Sequence, residues 1–262
     1  MATTADGFQV EALLVDLDGT VYFGGEPIPG AIETLEALRQ AEIPFRFITN
    51  TTRRPRSAIL EILHGMGIDA EVDDVVTAPV VATRWLKSRR MTSIHPMVTE
   101  ATRSELAEFD FDANNPDAVV VGDLGSDFTY DVLTVAFRAL MAGAELVALQ
   151  KNRYWDPGDG FSLDAGPFVA ALEFASSKKA LVIGKPSAAF FEMAIEGFGV
   201  SILETAMVGD SLRGDVAGIQ GAGGIGVLVQ TGKFRPELLA SEAVRPQTIL
   251  GSFADVPEWL GI

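Results

Sequence analysis

The chain contains no cysteine among its 262 residues. That excludes disulfides, thiolate metal sites and cysteine nucleophiles, and it fits a reducing compartment. Histidine is nearly as scarce. His64 and His95 have no partners at metal-ligand spacing, so an imidazole-based metal centre is not expected and both read as structural. Cations are outnumbered: 20 Lys and Arg face 36 Asp and Glu, for a formal net charge of −16. Such a surface repels nucleic acid and anionic membranes, so neither is expected as a partner. An anionic substrate would then need local cations or a metal. No apolar run approaches the length that spans a bilayer. The opening MATTADGFQVEA has neither the basic nor the apolar region of a signal peptide, and a cytoplasmic location is expected.

What is present is a chain with 48% hydrophobic residues, enough for one large domain or two moderate ones. Strand-like and helix-like segments alternate, which predicts an α/β fold with a mostly parallel, Rossmann-like sheet. The apolar run Ala12–Val15 leads into Asp16 and reads as a buried central strand. Residues 22–29 read as a loop, 30–41 as a helix and 45–48 as a strand. A helix carrying Ile59, Ile62, Leu63 and Met66 on one face follows, then a short strand near Val75. Residues 81–180 read as an inserted, smaller α/β domain. Its strands fall near 94–98, 118–121 and 146–149, and its helices near 80–88, 101–108, 128–142 and 167–175. The flanking 1–80 and 181–262 form the core, with strands at 181–186, 205–210 and 225–229. Helices are expected at 188–198, from about 215, and from Pro236, with a strand near 248–250 and a last helix ending at Trp259.

Four strand ends carry candidate chemistry. Asp16 and Asp18 are two residues apart on an extended chain, so they leave the strand on one side and can share a cation. Gly19 permits a sharp turn that brings bare N–H groups to a ligand. Thr49 and Asn50, after the strand at 45–48, offer a hydroxyl and an amide to an oxyanion. Lys185, held between Gly184 and Pro186, suits a phosphate or the charge of a transition state. Asp210 follows the strand at 205–209 and can join the first pair around Mg²⁺, which favours few carboxylates plus water and phosphate oxygens. Asp215, five residues on, caps the next helix or holds a metal-bound water.

Two patterns imitate functional motifs. Gly221-Ala222-Gly223-Gly224-Ile225-Gly226 satisfies G-x-G-x-x-G, but it follows a helix and precedes a strand, the reverse of a dinucleotide site. Gly122-Asp123-Leu124-Gly125-Ser126-Asp127 imitates the Gly-Asp at 209–210 and reads as a turn and helix N-cap. The stretch Lys151-Asn152-Arg153-Tyr154-Trp155 mixes cations, an amide and aromatics. It reads equally as a substrate-contact loop or as a basic surface turn with an aromatic anchor.

Taken in order, the four strand ends resemble the motifs of the haloacid dehalogenase-like hydrolase superfamily, and the likeness covers nearly the whole chain. The long insert resembles the α/β cap of its NagD-like class. Four segments resemble the phospholysine phosphohistidine inorganic pyrophosphate phosphatase branch: Phe47–Thr52, Gly166–Glu173, Gly184–Ser187 and Gln230–Arg235. Ser211 departs from that branch, where a second aspartate is expected.

The resemblance implies a Mg²⁺-dependent phosphatase acting through an aspartyl-phosphate. Asp16 would be the nucleophile and Asp18 the general acid and base. Asp16, Asp210 and the backbone carbonyl of Asp18 would hold Mg²⁺, with Ser211 and Asp215 behind them. Gly19, Thr49, Asn50, Thr51 and Lys185 would bind the phosphoryl oxygens. The cap would choose the leaving group, with Asn152, Arg153 and Tyr154 as contacts, and an exposed cap face can also make a homodimer. The implied substrate is small and phosphorylated, with pyrophosphate and phospho-amino acids suggested by the branch. A phospho-accepting or phosphoprotein-binding module without rapid turnover is the competing reading, and Asp18 argues against storage of the phosphoryl group.

Overall fold

The computed structural model describes residues 2–155 and 160–262. The chain divides into two compact units: one holds the chain up to Thr49, Leu60–Val76 and Lys185–Ile262, and the other holds Asn50–Ile59 and Thr77–Gly184. The second unit thus starts a few residues before the expected 81, ends a few after 180, and also takes in 50–59.

The first unit is built on a six-stranded sheet in the order Thr248–Leu250, Ile225–Val229, Thr205–Gly209, Ala12–Asp16, Phe45–Thr49, Val75–Thr77. Its registered pairs are parallel. Three of the four inner strands, Ala12–Asp16, Thr205–Gly209 and Ile225–Val229, are buried at every residue. Their continuous apolar runs are what a parallel sheet covered on both faces requires. Register then aligns the strand ends. Val15 lies opposite both Val208 and Phe47, so Asp16, Gly209 and Ile48 reach the same edge of the sheet.

Around this sheet the helix Ala31–Gln40 buries Ala31, Thr34, Leu35 and Leu38, the spacing of one helical face. Between it and the first strand lies a small antiparallel hairpin, Tyr22–Phe23 with Glu26–Pro27, where a loop is expected from sequence. Gly24 and Gly25 both take positive φ, 61° and 90°, which is what a two-residue hairpin turn needs. The helix expected over 188–198 stops at Ala194, before Gly197 and Gly199 adopt positive φ. The helix expected from 215 is preceded by a π-turn, Leu212–Val216, and occupies Ala217–Gly221.

The second unit has its own parallel sheet, in the order Leu181–Val182, Glu145–Ala148, Ala118–Val121, Ile94–Met97. Helices Tyr130–Ala142 and Ala165–Ser176 pack against a core of Met97, Val119, Val121, Leu140, Leu146 and Leu172. The rings of Phe128 and Phe168 stack with centroids 3.8 Å apart. The segment from Leu181, expected to resume the first sheet, pairs here instead: Val147 and Ala148 oppose Leu181 and Val182, and the amides of Ile183 and Gly184 still bond to Ala148 and Leu149. Residues 101–108 form only Glu100–Arg103 and a 3₁₀ turn rather than one helix. Among the described residues no helix is long and apolar enough to cross a membrane.

Candidate active site

The first strand delivers Asp16 to the sheet edge at 5% exposure. The chain then turns at once: the amides of Thr20 and Val21 bond to the Leu17 carbonyl, and that of Gly19 bonds to the Tyr22 carbonyl. Gly19 takes φ +90°. A Cβ there would meet Asp210 Oδ2 at 2.0 Å, so close approach as well as φ demands glycine. Asp18 faces outward and is exposed.

Lys185 donates from Nζ to Asp16 Oδ1 and to Asp215 Oδ1, each at 2.7 Å, with all three side chains buried. Burial alone would lower the lysine pKa; the charges of Asp16 and Asp215 overcome it and raise the pKa. Asp215 does not cap the following helix. Its Oδ2 accepts from the Ser211 amide at 3.0 Å, and the N-cap contact is made by Ser211, whose Oγ accepts from the Gly214 amide at 3.0 Å. A Cβ on Gly209 would meet Asp215 Oδ2 at 2.3 Å, so this glycine makes room for the carboxylate.

Asp210 completes the group. One oxygen each from Asp16, Asp210 and Asp215 lies within 4.8 Å of the others. Asp210 Oδ2 accepts from the Lys233 amide at 2.7 Å, whereas Oδ1 is buried without a hydrogen-bond partner among the described residues. Burial pushes Asp210 up to about 7; the Lys233 charge opposes this and the charges of Asp16 and Asp215 add to it. Asp215 is raised as well, first by burial, with Lys185 opposing. Three buried carboxylates against the ammonium groups of Lys185 and Lys233 still leave net negative charge out of water, a costly arrangement without a cation. An all-oxygen set with one orphaned carboxylate oxygen is the donor chemistry of Mg²⁺. Asp16, Asp210 and Asp215 therefore fit a hard divalent cation, and the carboxylate of Asp18 stands outside this group.

The other expected site residues separate between the units. Thr49 is buried at the end of its strand in the first unit. Asn50 and Thr51 belong to the second, where Asn50 Oδ1 lies against Gly184, 2.7 Å from where a Cβ would stand. In the expected contact loop, Lys151 pairs with Glu173 at 2.7 Å. Asn152 shares a polar cluster with Gln150 and Asp164, while Arg153 and Tyr154 are exposed. The side chain of Trp155 lies outside the described residues. Of the two imitations, the glycines at 221–226 sit between helix and strand as expected. In the other, Thr129 rather than Asp127 caps the helix at Tyr130.

Sequence reasoning assigned no role to Thr231, Gly232 and Lys233. Thr231 Oγ1 donates to the Gly19 carbonyl at 2.5 Å, and Lys233 reaches Asp210 through its amide. The readable signal was a Thr-Gly pair directly after a buried strand, at the same sheet edge as the aspartates.

This fold and site have relatives. The family model described as haloacid dehalogenase-like hydrolase matches residues 13–112, and a second, HAD-hydrolase-like, matches 182–256. The chain is 41% identical to haloacid dehalogenase-like hydrolase domain-containing protein 2 from Homo sapiens over 86% of each chain. It is 37% identical to phospholysine phosphohistidine inorganic pyrophosphate phosphatase from Bos taurus, over 87% of this chain and 85% of the relative. The solved 4-nitrophenylphosphatase from Thermotoga maritima matches with a TM-score of 0.89 at 30% identity, covering 94% of this chain and 96% of the other. The chain belongs to the haloacid dehalogenase-like hydrolase family.

Proposed function

We propose that this chain is a Mg²⁺-dependent phosphatase that hydrolyses a small phosphorylated substrate through an aspartyl-phosphate. The observation that carries the reading is one ammonium, Lys185, clamped between Asp16 and Asp215 beside an Asp210 oxygen that is buried and partnerless. Asp16, Asp210 and Asp215 would hold Mg²⁺, with the Asp18 backbone carbonyl. When bound, the metal supplies positive charge against the carboxylates and the phosphoryl oxygens.

Lys185 holds Asp16 through Oδ1 and leaves Oδ2 to attack phosphorus. As the P–O bond to the leaving group breaks, Asp18, exposed and free to exchange protons, donates a proton to the departing oxygen. Asp18 then takes a proton from the water that attacks phosphorus, and the bond to Asp16 breaks, regenerating the carboxylate. Thr49 and the backbone amide of Asp18 bind phosphoryl oxygens. The names of the phosphatase relatives support phosphate-ester hydrolysis, and one of them favours pyrophosphate and phospho-amino acids as first candidates.

The test is phosphate release from 4-nitrophenyl phosphate, pyrophosphate and phospholysine, with Mg²⁺ and with chelator. Release should require Mg²⁺ and should fall by about 10⁴-fold or more in Asp16→Asn. Equal turnover in that variant would remove Asp16 as nucleophile. No release from any compound would favour a phosphate-binding module instead.

A further inference from the structure

The turn after the strand Ile225–Val229 touches the carboxylate site at three points. Thr231 Oγ1 donates to the Gly19 carbonyl at 2.5 Å. The Lys233 amide donates to Asp210 Oδ2 at 2.7 Å. Gly232, at φ +54°, lies between them, and a Cβ on it would stand 2.1 Å from Asp210 Oδ2 and 2.5 Å from Gly19 Cα. The turn is itself anchored from below. The Phe234 amide bonds back to the Thr231 carbonyl at 3.0 Å, and the Phe234 ring packs on Leu212, Val216 and Leu228.

These contacts do something specific to Asp210. A carboxylate with one oxygen fixed by a backbone amide can rotate little, and its other oxygen is aimed. That other oxygen, Oδ1, is the buried one without a partner. A hydrogen bond to the far oxygen of a metal-binding carboxylate sets its orientation, and such outer contacts govern affinity nearly as strongly as the ligands do.

We propose that the turn Thr231–Gly232–Lys233 is a positioning element for cation binding: the Lys233 amide orients Asp210, Thr231 ties the Gly19 turn to it, and glycine at 232 permits the approach. The proposal rests on the reading of Asp210 as a Mg²⁺ ligand. Neither the Thr231 nor the Lys233 side chain needs to touch the cation. The turn joins two strand ends, at Asp16 and Asp210, that are 194 positions apart in the chain, so their separation is set by packing of this third segment and not by local sequence.

The experiment is Mg²⁺ titration of the full chain, read by calorimetry and by the Mg²⁺-induced rise in melting temperature. Gly232→Ala should weaken Mg²⁺ binding by about tenfold or more. Thr231→Val should weaken Mg²⁺ binding by a smaller factor, and Thr231→Ser, which keeps the hydroxyl, should recover most of it. If Gly232→Ala does not fold, the Val and Ser pair decides the matter. Wild-type Mg²⁺ affinity in a folded Gly232→Ala, or equal affinities in the Val and Ser variants, would overturn the positioning role. A wild-type chain that shows no Mg²⁺ binding would instead overturn the metal reading itself, and with it this one.

Discussion

The two units each contain a buried aspartate placed directly after a fully buried parallel strand and a glycine. In the first unit it is Asp210, after Thr205–Gly209; in the second it is Asp123, after Ala118–Val121 and Gly122. Local sequence makes them near twins. Their surroundings separate them. Asp123 Oδ1 accepts from the Gly125 amide at 2.8 Å, and Oδ2 faces the Arg53 guanidinium at 3.6 Å. Its own amide is taken by Thr52 Oγ1 at 2.9 Å. Both carboxylate oxygens and the amide of Asp123 are thus taken up by neighbours. Asp210 has one oxygen fixed, the other orphaned, and two further carboxylates within reach. The neighbouring Asp164 of the second unit is likewise consumed locally. It caps its helix at the Ala165 amide and bonds to Gln150, and burial raises its pKa. Buried acid by itself therefore marks nothing; convergence of incompletely satisfied acids marks a site.

The comparison can be broken most sharply at Lys185. Lys185→Met strands Asp16 and Asp215 as buried charges without their partner. It should cost about 3–5 kcal/mol of stability in urea unfolding and abolish phosphate release. A variant as stable as wild type would mean that the carboxylates do not depend on this ammonium.

A smaller effect separates the aspartates by pH. In chelator, the folded state keeps a proton on Asp210 up to about pH 7, whereas the unfolded chain loses it near the ordinary 3.8. Between those values the native state binds more protons, so stability falls as pH rises. Asp215, also raised, pulls the same way. The melting temperature in chelator should therefore drop between about pH 4 and 7, and saturating Mg²⁺ should reduce that drop. Asp210→Asn should flatten it. An identical slope in the variant would show that Asp210 is not the titrating group.

The smallest effect belongs to Asp123→Asn. The amide can still accept from Gly125, and only the charge facing the half-exposed Arg53 is lost. Stability should change by about 1 kcal/mol or less, and phosphate release should stay at the wild-type rate, while Asp210→Asn loses Mg²⁺-dependent release. A large loss of turnover in Asp123→Asn would remove the distinction between the two sites.

Much of this arrangement was legible before any coordinates. The runs at 12–15, 118–121, 206–208 and 225–229 carry no polar side chain, as a parallel strand covered on both faces requires. Asp16, Lys185 and Asp210 could be picked out because each follows a strand closely and is a residue type that rarely goes inside unaccompanied. Asp215 was legible as a polar group but not in its role: helix capping and lysine pairing use the same carboxylate, and spacing alone does not choose. The segment from Leu181 shows the opposite limit. Its apolar run announced a strand, but such a run names no partner, and pairing with Val147 and Ala148 put it in the second sheet.

The sequence alone determined the alternation of strands and helices, the strand ends where carboxylates and an ammonium emerge, and, through motif order, the family. These are properties of a residue and its near neighbours, which periodicity and turn chemistry report directly. The tertiary structure decided which acids converge, that Asp215 shares Lys185 with Asp16, that Asp210 keeps an unpartnered oxygen, and that the turn at 231–233 stands against it. Those outcomes depend on strand register and on close approach between segments far apart in the chain, where a single Cβ at Gly19 or Gly232 would change the answer.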